Sequence, residues 1–339
     1  MFNRIKGDVV VITGASGGIG RATAKAFAKK KARLVLAARR DTALQMVADQ
    51  CEDLGGSARV VPTDVTDPRS VDALARRAVA EFGKIDVWVN NAAVTLFSRH
   101  EEAPPEAFRR VVETNLMGYA YGARAAVAQF REQGSGTLIN VSSSLARRGA
   151  PYLSAYVSSK AGVDAMSTCL RQELRDTNIE VCLVLPASID TPLFQQSANY
   201  TGMAVKPVDP VYHPQRVSKA IVKLAKRPKN ITFVGPAGRL LGVANKLFSS
   251  ATDEFIANRI EEDHFQSRPT PPSEGNLFEP NEAWARTTGG WNGKKRRVAA
   301  AMAKVAKVGA VLAVPAATYL LWTNRERIAN GTVKGLLPR

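Results

Sequence analysis

The chain has 339 residues, 45% of them apolar, and a formal net charge of +17 at pH 7. This length and apolar share suit one large domain with additions and a substantial core. Cys51, Cys169 and Cys182 are an odd set without Cys-x-x-Cys spacing, which suggests a reducing compartment and no disulfide framework. His100, His213 and His264 lie far apart without ligand spacing, so no metal site is expected.

In chain order, Asp8–Ile12 is a short β-branched run and predicts a buried strand. It enters the turn Thr13-Gly14-Ala15-Ser16-Gly17-Gly18-Ile19-Gly20, and a helical pattern follows from Arg21 to Lys30. Glycines in that context permit a tight turn and close backbone approach, while the helix start offers N–H groups to a pyrophosphate. The next predicted strand, Arg33–Ala38, ends in Arg39-Arg40. An acidic residue at this place would bind an adenosine ribose 2′-hydroxyl. Here Ala38 stands there, and arginine suits a 2′-phosphate. The expected cofactor is therefore NADP(H) rather than NAD(H), although one of the two arginines could simply open the following helix.

Further strands are predicted at Ser57–Val61, Asp86–Val89, Thr137–Val141, Ile179–Leu185 and Ile231–Val234. Helices are predicted at Asp41–Leu54, Pro68–Phe82, Pro105–Arg131, Ala155–Asp176 and Pro214–Lys226. This alternation argues an α/β fold: a doubly wound, Rossmann-like parallel sheet with helices on both faces. Ligands of such sheets bind beyond the carboxyl ends of the strands.

Tyr156 and Lys160 are four apart and share a helix face, while Ser143 lies thirteen residues before Tyr156, just beyond a predicted strand. A phenol has a reference pKa of about 10, and a neighbouring ammonium lowers it. A hydroxyl, a phenol and an ammonium around one carbonyl form an acid–base device. A Tyr-x-x-x-Lys pair alone also occurs on many helices where the tyrosine merely packs. Ser142 and Ser144 flank the chosen serine, and only spacing selects Ser143. Asn115, in Glu113-Thr114-Asn115-Leu116, reads equally as a polar residue at a helix bend.

Taken in order, these motifs resemble the short-chain dehydrogenase/reductase family over about residues 5 to 235. Thr13-Gly14…Gly18-Ile19-Gly20 resembles its cofactor turn and Asp64-Val65 its adenine-contacting pair. Asn90-Asn91-Ala92-Ala93 resembles its Asn-Asn-Ala-Gly, with Ala93 in place of glycine. Pro186-Ala187-Ser188-Ile189-Asp190-Thr191 resembles its Pro-Gly-x-x-x-Thr, with Ala187 in place of glycine. Asn115, Ser143, Tyr156 and Lys160 fall on its catalytic positions.

The resemblance implies hydride transfer between a nicotinamide and a small-molecule alcohol or carbonyl substrate. Tyr156 would move the proton and Ser143 would bind the substrate oxygen. Lys160 would hold the nicotinamide ribose and acidify Tyr156, and Asn115 would hold a water relaying protons to Lys160. The implied cofactor contacts are Gly14, Ser16, Gly18, Ile19, Gly20, Arg39, Arg40, Asp64, Val65, Asn91, Ala92, Tyr156, Lys160, Ile189 and Thr191. A homo-oligomer through the helices bearing Asn115 and Tyr156 is also implied.

Residues 191–213 include Phe194, Tyr200, Met203, Val205 and Tyr212 and correspond to the family's substrate lid, which hints at a hydrophobic substrate. A loop packing on its own core reads the same way. The catalytic domain is expected over 1–250, and the Pro- and Gly-rich residues 251–293 are expected to be linker or irregular chain.

Lys294–Arg339 holds ten Lys/Arg and one acidic residue, Glu326, so +9 of the +17 sits there. Its apolar stretch 298–322 is expected either to contact a membrane or to pack as a helix on protein. Half the charge thus lies beside an apolar stretch and no nucleic-acid motif appears, which argues against nucleic-acid binding. The first strand begins too early for a signal peptide, so the expected location is cytoplasmic, with anchoring by the tail. A catalytically idle NADP-binding sensor or scaffold at a membrane is the alternative function; the presence of both Tyr156 and Lys160 opposes it.

Overall fold

The computed structural model describes residues 5–235 and 249–291, all within one compact unit, Met1–Asn292. The basic apolar tail, including residues 298–322, lies outside the described residues. Among those described, no helix is long and apolar enough to cross a membrane.

The strands are β1 (Val9–Thr13), β2 (Arg33–Ala38), β3 (Ser57–Pro62), β4 (Val87–Asn90), β5 (Leu96–Phe97), β6 (Ser135–Val141), β7 (Asn178–Pro186), β8 (Ala198–Asn199), β9 (Met203–Val205), β10 (Ile231–Val234) and β11 (Phe265–Pro269). The seven-stranded central sheet runs β10-β7-β6-β4-β1-β2-β3, with every neighbouring pair parallel. The order reverses at β1/β4, where the crossovers leave for opposite faces of the sheet and open a crevice.

Both faces are covered, which explains the near-continuous apolar runs of the central strands. Val10, Ile12, Leu34 and Leu36 pack with Phe27, Leu44, Val217 and Ile221 on one face. Val11 and Val35 point the other way, into Leu74, Ala78, Ala126 and Phe130. The partners come from α1 (Gly18–Ala28), α2 (Asp41–Asp53) and α7 (Gln215–Lys226) on the first face, and from α3 (Pro68–Phe82) and α5 (Gly118–Gln133) on the second. Helix α3 begins with Pro68 at a position that needs no N–H, and the Asp67 side chain accepts from Arg69 N. It ends at Gly83 with φ +79°.

Two departures from the sequence reading bear on the site. The helix expected over Pro105–Arg131 is broken into α4 (Pro105–Val112), a π-helical turn (Glu113–Met117) and α5. The wider turn lets Asn115 bond outside the helix, as π-turns at functional sites often do.

The stretch expected to be irregular after residue 250 is ordered on the catalytic unit. Helix α8 (Ser249–Asp263) buries Ile256 and Ile260, four apart, and β11 pairs antiparallel with β9. Nearby Pro and Gly clusters mask this short apolar face in the sequence. The remaining helix, α6 (Ser154–Glu173), carries Tyr156 and Lys160.

Candidate active site

The glycine turn joins β1 to α1 at the crevice. Gly14 has φ +65°, and a Cβ there would lie 2.7 Å from Ala92 Cα. A Cβ on Gly20 would lie 2.1 Å from Gly14 O. The turn is fastened to the end of β4. Thr13 Oγ1 accepts from Asn91 N at 3.0 Å and Ala92 N at 3.2 Å, and Asn91 Nδ2 donates to Thr13 O at 3.0 Å. Asn91 and Ala92, expected as cofactor contacts, thus line the crevice while holding the turn.

The crevice has an empty volume of about 1100 Å³ including solvent at its mouth, and its lining brings together most of the sequence-derived set. Gly14, Ser16, Gly18, Ile19, Arg39, Arg40, Asp64, Val65, Asn91, Ala92, Tyr156, Lys160 and Thr191 all face it. Gly20 lies behind the turn and Ile189 is buried beside it. Such a cleft, with a backbone cradle no larger residue could form at Gly14, suits a dinucleotide.

At one end, Asp64 accepts from Thr66 N at 3.0 Å and from Arg110 Nη2 at 3.0 Å. Burial pushes its carboxyl up, but the bonds from Thr66 and the charge of Arg110 outweigh burial and hold it below its usual range. Arg40 Nε and Nη2 donate to Ser16 Oγ at 3.2 and 3.0 Å. Neither Arg39 nor Arg40 has a carboxylate within ion-pair distance among the described residues. Burial lowers the pKa of both guanidinium groups, the mark of positive charge taken out of water without a matched anion.

At the other end, Tyr156 shares a hydrogen bond with Ser143. Ser142 Oγ instead donates to Lys160 O at 2.9 Å, so Ser143 is the serine that meets the phenol. Lys160 is 1% exposed, and its Nζ donates to Tyr119 Oη and Val141 O, both at 3.0 Å. Burial lowers the Lys160 pKa to about 7.

The expected acidification of Tyr156 by Lys160 is not what this packing produces. Burial dominates and raises the phenol above its usual value, and only the Ser143 bond opposes it. Lys160 Nζ sits 6.0 Å from the Tyr156 ring centre and is bonded elsewhere.

Asn115 is fully buried and its amide faces neither Tyr156 nor Lys160. Its Oδ1 accepts from Val94 N at 2.9 Å, and its Nδ2 donates to Val94 O at 2.9 Å and Ser159 Oγ at 3.1 Å. The side chain clamps the loop after β4 to helix α6, so a relay water would have to be held by something other than this amide.

Tyr119 and Arg110 also belong to the site, and nothing in their spacing distinguishes them from other helical residues in the sequence. The five lid residues named from the sequence are placed differently: Tyr200 packs partly buried against Val94, Leu96 and Leu277, and Met203 begins β9. Val205 and Tyr212 are core, 5% and 4% exposed. Phe194 joins an aromatic group with Phe97 (6.3 Å between ring centres), His264 (5.8 Å) and Trp291 (6.2 Å).

Comparison with known proteins agrees with this geometry. The family profile described as short chain dehydrogenase matches residues 8–201. The uncharacterized oxidoreductase YxnA of Bacillus subtilis is 34% identical over 284 residues, covering 80% of this chain and 78% of its own. An alcohol dehydrogenase from the archaeon Thermococcus sibiricus, solved with 5-hydroxy-NADP, superposes with a TM-score of 0.60 at 26% identity, covering 67% of this chain and 96% of that one. A short chain dehydrogenase/reductase from Burkholderia phymatum, in complex with NAD, gives a TM-score of 0.66 at 25% identity, covering 73% and 96%.

Proposed function

This chain belongs to the short-chain dehydrogenase family, and we propose that it is an NADP(H)-dependent oxidoreductase interconverting an alcohol and a ketone or aldehyde. The observation that carries the reading is the phenol of Tyr156 and the buried ammonium of Lys160 together on the lining of the crevice, with Ser143 acting on the phenol from just behind it.

A bound nicotinamide dinucleotide supplies the hydride chemistry. Tyr156 donates its phenolic proton to the carbonyl oxygen in reduction and takes it back in oxidation. The raised pKa keeps the phenol in its acid form, which suits reduction. Ser143 donates a hydrogen bond to the same oxygen and stabilises charge developing there. Lys160 has three ammonium protons and two protein acceptors, which leaves one N–H for a cofactor hydroxyl. Asn115 acts by holding the loop before the substrate and the helix bearing Tyr156 in fixed relation.

The preference for NADP(H) rests on charge and donor supply. A guanidinium has five N–H groups. Arg39 uses three on main-chain carbonyls, and Arg40 uses three on Ser16 and Asn281, which leaves two on each for a 2′-phosphate. Asp64, the nearby carboxylate, is already paired with Arg110.

An apolar substrate is favoured because Tyr156 packs against Phe97, Leu153 and Val205, with Phe194 beside them. Met117, 39% exposed at the break between α4 and α5, supports a contact between copies of the chain at that helix.

The test is turnover of a panel of aliphatic and aromatic ketones and aldehydes with NADPH, followed at the nicotinamide absorbance, with Tyr156→Phe alongside. Consumption of NADPH that persists in Tyr156→Phe at most of its original rate would remove the basis for the assignment.

A further inference from the structure

Residues 276–291, from the C-terminal extension, lie across the dinucleotide crevice and are bonded to both of its walls. On the wall formed by β2 and α1, Arg39 donates to the carbonyls of Asn276 (2.7 Å), Leu277 (3.2 Å) and Phe278 (2.5 Å). Arg40 donates to Asn281 O at 2.5 Å, Arg21 to Ala285 O, and Gly18 N to Arg286 O at 2.9 Å. On the wall that follows β7, Asn276 N donates to Gln196 O at 2.9 Å and Gln195 Nε2 to Gly289 O at 2.6 Å. Gly289 N and Trp291 N both donate to Asp190 Oδ1 at 2.9 Å. Leu277, fully buried among Val94, Leu96, Ala107 and Val111, anchors the segment.

This strap does not fill the crevice. Asn276, Pro280 and Asn281 line it together with the glycine turn and Lys160. Asn276 is 9% exposed, and its amide oxygen is buried without a hydrogen-bond partner. A buried acceptor left without a donor is destabilising. That cost points to a donor that arrives with a ligand. The neighbour on this side is Arg39, which places the acceptor on the adenosine half of the proposed dinucleotide. The two solved relatives are matched over 96% of their own lengths yet cover only 67% and 73% of this chain, so much of the extension lies beyond the unit they share with it.

We propose that this strap is the outer wall of the cofactor site: the Asn276 amide oxygen accepts from a hydroxyl or amine on the adenosine half, and the strap retains the bound dinucleotide by closing over it. The inference rests on the dinucleotide reading above. A ligand held by a strap with its own bonds to both walls leaves only when those bonds open, so the effect falls on the release rate. By linkage, the bound dinucleotide in turn holds the strap closed.

The test uses the full chain and NADPH alone, without substrate. The dissociation constant is measured by calorimetry, the release rate by stopped-flow fluorescence on displacement, and backbone exchange over 276–291 by hydrogen–deuterium mass spectrometry. Asn276→Leu should weaken NADPH about tenfold, mostly through faster release. Gln195→Ala, which loosens the far end of the strap without lining the crevice, should also speed release severalfold. In the parent chain, NADPH should slow exchange over 276–291. Normal binding by the parent, with no change in exchange and with both variants within twofold of it, overturns the strap proposal alone. A parent chain that binds neither NADPH nor NADH overturns the strap and the functional reading together.

Discussion

The ammonium of Lys160 donates to the hydroxyl of Tyr119 across 3.0 Å, and that hydroxyl donates in turn to Val141 O at 2.8 Å. Tyr119 is 1% exposed, and its ring centre lies 4.4 Å from Lys160 Nζ. The lysine is therefore held from the sheet side by a residue on α5, and the acceptor stabilises its charged form against burial.

Replacement Tyr119→Phe removes only the hydroxyl, and with it both the bond from Lys160 and the bond to Val141 O. A hydrogen bond to a charged group contributes about 1.5–3 kcal/mol. The Lys160 pKa should fall further below about 7, and kcat/KM should drop roughly tenfold at neutral pH, since 1.36 kcal/mol is a factor of ten in rate. The readout is the pH dependence of kcat/KM. An unchanged profile would separate Tyr119 from the function of Lys160.

Tyr156→Phe should lower kcat by about 10²–10⁴, the usual contribution of a positioned acid–base group. NADPH affinity should stay within about twofold, because proton transfer and cofactor retention use different atoms. Equilibrium binding beside steady-state rates makes the comparison.

Arg40→Ala should weaken NADPH more than NADH. Charge-assisted bonds to a phosphate oxygen are roughly twice as strong as neutral ones, which sets an expected change of about tenfold or more in the ratio of the two dissociation constants. Because Arg40 also bonds Ser16 and Asn281, some loss for both cofactors is expected, and the ratio isolates the 2′-phosphate. Equal losses would sink the NADP(H) preference.

His264 gives the structure an acid-sensitive point. It is 5% exposed, meets Phe97 edge-to-face at 5.0 Å between ring centres and bonds Lys206 O. Burial, the largest cause, depresses its pKa from 6.5 to about 4. Between those values the unfolded chain binds the proton and the folded chain does not. Stability from this group is thus complete above pH 6.5 and is lost as pH falls towards 4, by on the order of 2–3 kcal/mol. Urea unfolding at pH 7 and pH 4.5 should show His264→Phe losing less stability than the parent over that interval. A parallel decline in both would place the acid sensitivity elsewhere.

Asn115→Ala should act on stability as well as rate. It deletes three buried bonds and leaves Val94 N and O without partners. A loss of about 2–6 kcal/mol is expected, about one to three for each buried polar group left unpaired. A thermal midpoint equal to that of the parent, with activity lost, would instead favour a direct chemical role.

Much of the site is legible in the amino-acid sequence. The turn Thr13–Gly20, the Arg39-Arg40 pair and the Ser143, Tyr156, Lys160 spacing are local patterns. Local patterns survive in sequence because each needs only a strand, a turn or one helix face to bring its members together. The layering of helices on a parallel sheet follows from the alternation of apolar runs and helices. Matters of partner and environment are not legible in this way. Asn115 fits a water holder by resemblance, yet it is a clamp on Val94 and Ser159. Residues 251–293 have the composition of irregular chain, yet α8, β11 and the strap pack on the catalytic unit.

The sequence by itself determined the doubly wound sheet, the glycine turn and the pairing of Tyr156 with Lys160 on one helix, since these depend on periodicity and on side chains with distinctive chemistry. Only the tertiary structure decided the rest: that Lys160 is buried against Tyr119, that burial rather than the lysine governs Tyr156, and that carbonyls of 276–286 engage Arg39, Arg40, Arg21 and Gly18. Two physical reasons account for them. Every residue carries the same backbone carbonyl, so such acceptors have no signature in the sequence. Desolvation, likewise, belongs to everything packed around a group and not to the group itself.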